Sequence, residues 1–253
     1  MQKACFQCSL AIEQTNIFCT HCGASQLAVD LKNPSQLWHK IQQVIIFYVL
    51  ELVTCCLFTF CKPLQNVWGL TAFDTLTAFY TCYFLKINWV DVKKVLVWNN
   101  FSWLKLLMYS SIAVTGAVLV HYTVGWLNRS LHFQEESYYW FFAHHQNSTI
   151  LMLFFTAVMP AIFEELAYRG YILQSLLALV GKKQAILITA ILFAIIHLNF
   201  LSLLWLLPFA LFIGNICVKE KTIWYGVVVH FLFNLTACLF ELWEFKYQFL
   251  MYS

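Results

Sequence analysis

The sequence predicts an all-α fold: a polytopic transmembrane helix bundle of about seven to eight helices with a small metal-binding ribbon at its N-terminus. Three observations predict it. The 253 residues are 61% hydrophobic and only 11% charged, with a mean hydropathy of +0.70, whereas soluble domains carry about 25% charged residues. Seven apolar runs, roughly 41–61, 67–85, 104–127, 148–168, 184–198, 200–218 and 222–243, approach the ~20 residues that a helix needs to cross a bilayer. Two Cys-x-x-Cys pairs stand ahead of all of them. The chain accordingly divides into a ribbon (1–30), N-terminal transmembrane helices (31–147), a helical core rich in polar motifs (148–243) and a C-terminal tail (244–253).

In the ribbon, Cys5-Phe-Gln-Cys8 is followed after ten residues by Cys19-Thr-His-Cys22-Gly23. Two such knuckles present four thiolates tetrahedrally, the closed arrangement that structural zinc prefers. Gly23 suits a turn that needs positive φ. A unit this small buries too little apolar surface to fold alone, so a zinc ion supplies the folding energy. His21 lies between two better ligands and reads as a bystander. The module resembles short zinc ribbons at the N-termini of prokaryotic membrane proteins, which implies docking of a cytoplasmic protein, regulation, or an ordered terminus. Lys3 is the only basic residue before Lys32, too little positive charge for a nucleic-acid partner. The remaining cysteines, Cys55, Cys56, Cys61, Cys82, Cys217 and Cys238, lack ligand spacing and read as small hydrophobes.

Basic residues set the expected orientation. With the N-terminus inside, Lys3, Lys32, Lys40, Lys86, Lys93, Lys94, Lys105, Lys182, Lys183, Lys219 and Lys221 fall on the cytoplasmic side, against Lys62, Arg129 and Lys246 outside. Eleven against three follows the positive-inside rule. The reducing cytoplasm then disfavours disulfides in the ribbon. No basic n-region and apolar h-region open the chain, so no cleaved signal peptide is expected. The stretch 170–180 is too short to cross; it either continues the fourth helix or lies along the interface.

The fourth run ends in Glu164-Glu165-Leu-Ala-Tyr-Arg169, after fourteen uncharged residues from Ile150 to Phe163. A charge near the bilayer centre costs roughly 2.5–3.5 kcal/mol on insertion scales, so three together need partners or a task. Glu165 and Arg169 are four apart with the acid first, the better order for an ion pair on one helical face. Glu164 points about 100° away and keeps its carboxylate uncommitted. Phe193-Ala-Ile-Ile-His197 closes the fifth run, and His230-Phe-Leu-Phe-Asn234 places an imidazole and an amide on one face of the seventh. Any one of these is ordinarily a polar group satisfied inside a bundle. Acid, imidazoles and amide on three successive segments make a hydrolytic set. Glu51 and Asp74 are also intramembrane acids, expected to make a local hydrogen bond across the first two helices, to border a water-filled cavity or to touch substrate. His121, His132, His144 and His145 read as interfacial. No G-x-S-x-G, phosphate loop or internal repeat is present, and no paired interrupted helices suggest a transporter.

The motifs EExxxR, FxxxH and HxxxN, in this order over roughly residues 148–240, resemble the CPBP family of intramembrane proteases. That family includes the type II CAAX prenyl endopeptidases and bacterial relatives linked to bacteriocin processing and self-immunity. The resemblance implies an endopeptidase acting on a peptide or protein presented at the lipid bilayer. It implies that Glu164 activates water with help from His197, that His230 and Asn234 stabilise the oxyanion, and that Glu165, Arg169 and Phe193 support the site without a catalytic cofactor. The compact length and the ribbon are similar to prokaryotic members, for which the cell membrane is the expected location and a leader or small regulatory peptide the expected substrate. Two alternatives stay open: a metal held by Glu164, His197 and His230, although no H-E-x-x-H is present, and a non-catalytic adaptor or immunity protein using the same cavity. The apolar runs also pose a conflict, because they put Glu164 near the inner end of one helix and His197 near the outer end of the next. For the two to meet, the boundaries between 170 and 200 must shift or one segment must stop short.

Overall fold

The computed structural model describes residues 2–5, 8–13, 19–22, 34–98, 101–132 and 139–252. Gly23 and Lys32 lie outside the described residues. The chain forms two compact units, Met1–Lys40 and Ile41–Ser253. In the first, strands β1 (Gln2–Ala4) and β2 (Ala11–Glu13) pair antiparallel, with Lys3 opposite Ile12. The turn between them is closed by Cys5 N–H donating to Leu10 O at 2.9 Å and Ser9 N–H to Cys5 O at 2.8 Å. Among the described residues, Cys5, Ile12 and Cys19 are its buried apolar cluster.

Helix α1 (Pro34–Phe60) leads into the second unit, followed by α2 (Val67–Ile87), α3 (Trp103–Leu131), α4 (Ser148–Leu177), α5 (Lys182–Ile195), α6 (Leu203–Glu220) and α7 (Trp224–Tyr252). Each of the seven apolar runs corresponds to one of these helices, with ends that differ by a few residues. Five are long and apolar enough to cross a membrane: Leu37–Phe60, Trp103–Leu131, Ser148–Leu177, Leu203–Glu220 and Trp224–Lys246. Helix α2 has 21 residues but carries Asp74 and Lys86. Helix α5 has only 14, a rise of about 21 Å against a hydrocarbon core of ~30 Å.

The conflict over Glu164 and His197 is resolved in these lengths. Residues 170–177 continue the fourth helix, so Glu164 sits near the middle of a 30-residue α4 rather than at its end. Helix α5 stops short, turned by Leu198 in the left-handed region at φ 51° with its N–H on Ile195 O at 3.0 Å. His197 is therefore held at the end of a half-length helix, at the depth of the middle of its neighbour.

Helix α4 is central, packing against α2, α5 and α7, while α3 lies on α7 and α5 on α6. Between helices in lipid the hydrophobic drive is lost, and close packing and hydrogen bonds hold the bundle. Ala157, Ala161 and Ala167 are at most 1% exposed along α4; such small residues let neighbouring backbones approach. Phe47 of α1 anchors the other side, edge-on to Tyr80, Phe84 and Tyr171 at ring separations of 5.4, 5.3 and 5.2 Å. Trp68, Leu104 and Phe79 stay exposed, as lipid-facing side chains do.

Two stretches of α4, Phe154–Val158 and Leu166–Ile172, are wound as π-helix. Such bulges cluster at functional sites because each added residue re-aims the side chains after it. They bracket Met159–Glu165, the turn that carries both glutamates.

Candidate active site

The second π segment delivers Arg169 into the bundle, where it is 1% exposed beside a Glu165 with no exposure at all. Arg169 Nη1 donates to Glu165 Oε1 at 2.9 Å and Nη2 to the Ala210 carbonyl of α6 at 3.2 Å. The guanidinium carbon lies 4.7 Å from the centre of the Phe193 ring, a cation–π contact strengthened by desolvation. His230 Nδ1 reaches the same Glu165 oxygen at 2.9 Å. The pairing read from the spacing of Glu165 and Arg169 is thus formed, and it has a third member from α7. A buried carboxylate shared by a guanidinium and an imidazole fixes both positions.

Glu164 lies apart from that pair. Its side chain is 26% exposed, with Oε2 3.8 Å from His230 Nε2, too long for a hydrogen bond. Oε2 is itself buried and without a hydrogen-bond partner. Nδ1 donates to the Glu165 carboxylate, so Nε2 carries an N–H towards Glu164 when the ring is the imidazolium. His197 presents the complementary state. Its Nδ1 lies 2.9 Å from the Phe193 carbonyl, an acceptor, so Nδ1 donates and the neutral ring leaves Nε2 as a lone pair. Glu164 and His197 line one cavity of about 220 Å³, which also takes in Glu51 and Asp74.

Asn234 is placed differently. Its Nδ2 donates to the Thr156 carbonyl in the first π segment at 3.0 Å, and neither it nor His230 lines the cavity. Phe193 is fully buried and touches Arg169, His197 and His230, the two imidazole rings at 5.0 and 6.0 Å. Glu51 accepts from the Tyr168 hydroxyl of α4 at 2.8 Å, in place of the local bond across the first two helices expected of it.

Two residues that sequence reasoning missed shape this site. Tyr168 occupies a variable position of the first motif, yet it is fully buried, bonded to Glu51 and edge-on to Phe193 at 5.1 Å. Gly226 is one helical turn before His230, and a Cβ there would stand 2.7 Å from Ile213 Cγ2 and 3.1 Å from Glu165 Oε2. Only glycine lets α7 approach that closely, and its position four residues ahead of the histidine was the available signal.

In the ribbon, the Sγ atoms of Cys5 and Cys22 are 3.8 Å apart, those of Cys8 and Cys19 3.6 Å. All four lie within 4.8 Å of one another, the only group among the described residues that converges for a metal ion. A regular ZnS₄ tetrahedron with Zn–S near 2.3 Å has edges of about 3.8 Å, so the donor set fits. The His21 backbone N–H donates to Cys19 Sγ at 3.4 Å, the kind of hydrogen bond that supports a thiolate ligand.

Comparison with curated proteins and with solved structures gives no match. A family model described as type II CAAX prenyl endopeptidase Rce1-like matches residues 146–236, which contain all three polar motifs and helices α4 to α6 with the first half of α7. This segment is therefore similar to the Rce1-like type II CAAX prenyl endopeptidases, a family of CAAX-type membrane proteases.

Proposed function

We propose that the protein is an intramembrane endopeptidase that hydrolyses a peptide bond in a peptide or protein presented at the membrane, using a glutamate-activated water and no metal at the reacting centre. The observation that carries this is Glu164: an acid with a buried, unpartnered carboxylate oxygen, bordering a cavity it shares with His197. In this reading Glu164 takes a proton from water, assisted by the His197 Nε2 lone pair, as the water oxygen bonds to the scissile carbonyl carbon. His230 Nε2–H and the second amide N–H of Asn234 receive the oxyanion. The first N–H is held by Thr156, which supports a fixed amide orientation. The C–N bond then breaks and the proton passes from Glu164 to the leaving amine. Preplaced donors of this kind are worth about 2.7–4 kcal/mol each. Glu165, Arg169 and Phe193 hold His230 and His197 in place.

In this reading the four cysteines hold zinc and the ribbon lies on the cytoplasmic face of a prokaryotic membrane, available for protein docking; the positive-inside distribution supports that orientation. The test is a peptidome and membrane-proteome comparison between wild type and Glu164→Gln at matched expression. Fragments that vanish only in the variant support proteolysis and name substrates. Identical peptidomes, with an intact phenotype, overturn the enzyme in favour of an adaptor.

A further inference from the structure

Glu51 and Asp74 lie outside the family-matched segment, on α1 and α2, yet both line the cavity that contains Glu164 and His197. Glu51 is 5% exposed. Its Oε2 is held by Tyr168 at 2.8 Å, and no other hydrogen bond engages it among the described residues. The anchored carboxylate therefore has one oxygen to offer. Asp74 Oδ2 is buried with no hydrogen-bond partner among the described residues. Three acids thus surround one space, and no lysine or arginine lines it. The nearby cation, Arg169, is committed to Glu165, the Ala210 carbonyl and the Phe193 ring. The acids do not converge as metal ligands do, since only the cysteines meet that spacing among the described residues.

Three phenylalanine rings stand in the rest of the lining, among threonine, aliphatic and sulfur-bearing side chains. Phe58 and Phe73, 5.2 Å apart, and Phe163 border the same space. Carboxylates beside phenylalanine rings recognise a cation on an aliphatic stem, because the rings pack the methylenes and their faces attract the charge. A cavity of about 220 Å³ has room for one long side chain.

Resting on the protease reading, we infer that this cavity is a specificity site for a basic side chain, lysine or arginine, of the segment presented for cleavage. Glu51 and Asp74 receive the charge and Phe58 and Phe73 flank the stem. The occupant sits beside Glu164, so the site selects substrates with a basic residue close to the cut.

The experiment uses single-span peptides bearing a photoreactive benzoylphenylalanine, with lysine or norleucine placed at successive membrane positions. Each pair is mixed with the full chain in nanodiscs. Lysine peptides are expected to label wild type at about tenfold lower concentration than their norleucine partners, the scale of one desolvated charge pair. Glu51→Gln and Asp74→Asn each reduce that preference, and the double variant removes it. Glu51→Gln still accepts from Tyr168, and an unchanged thermal transition verifies the fold. Equal labelling by the two peptides, no labelling by either, or a preference that survives the double variant overturns the inference. Labelling needs no bond cleavage, so the two readings fail separately. A lysine preference without Glu164-dependent fragments sinks the protease alone; Glu164-dependent fragments without the preference sink the basic pocket alone.

Discussion

The four-cysteine ribbon and the intramembrane site are both clusters of polar side chains, but they are held in opposite ways. The ribbon draws its donors from eighteen consecutive residues, Cys5 to Cys22, on a scaffold of two three-residue strands. Few contacts among the described residues support it, and an ion held by the four thiols would supply most of the order. The intramembrane site collects Glu165, Arg169, Phe193 and His230 from α4, α5 and α7, 65 positions apart at the extremes. There Arg169 and His230 both pair with Glu165 Oε1, although Glu165 Oε2 and Arg169 Nε are left without a partner among the described residues. A local motif of this size would fold around an external ion. A distributed one carries its own counter-charges.

The largest effect that sharpens this contrast is metal removal. Zinc binding to small ribbons is worth about 10–16 kcal/mol at neutral pH, so chelation should melt residues 2–22 while leaving the helical content of α1 to α7 intact. Metal analysis and limited proteolysis with parallel circular dichroism measure both; a ribbon that stays protease-resistant without metal contradicts the ion-held picture.

Arg169→Ala comes next. It strands the buried Glu165, a loss of about 3–5 kcal/mol, visible as lower abundance and a lower thermal transition in detergent. Wild-type stability in this variant would mean that the ion pair does not hold the site. Asn234→Ala should lower kcat by ~10²–10³ at nearly constant KM, as removal of one oxyanion donor does, once a fragment from the peptidome is available as a reporter. A change confined to KM moves Asn234 to substrate binding. The smallest is Gly226→Ala, whose new methyl meets Ile213 and Glu165; overpacking of this kind costs about 1–3 kcal/mol. Its thermal shift should be smaller than that of Arg169→Ala, with turnover falling because His230 is displaced. Undisturbed turnover removes Gly226 from the site.

Much of this was legible in the sequence, for identifiable physical reasons. Hydropathy fixes the seven apolar runs because bilayer thickness imposes a length on every crossing helix. The ribbon's Cys-x-x-Cys spacing is read directly because its ligands are neighbours in the chain. The i,i+4 relation of Glu165 and Arg169 is a property of one helix, and the 2.9 Å contact follows it. Intramembrane acids at 51 and 74 are conspicuous because burying charge in lipid is expensive, though nothing in their spacing indicates a common partner.

What only the tertiary structure decided is depth and convergence. Periodicity carries no record of a π bulge, which depends on packing against neighbours, so the turn of Glu164 and the reach of Arg169 were invisible until α4 was placed. Leu198 gives no turn signal, since a leucine at φ 51° is tolerated only where its surroundings enforce it. Yet that turn ends α5 early and sets His197 at the level of Glu164. The third member of the Glu165–Arg169 pair, the Tyr168–Glu51 bond and the glycine at 226 all arise between helices distant in sequence. The sequence alone determined which groups needed partners in lipid, because the cost of an unpaired charge is a local property. The fold decided which partners they found, because that is a matter of three-dimensional proximity.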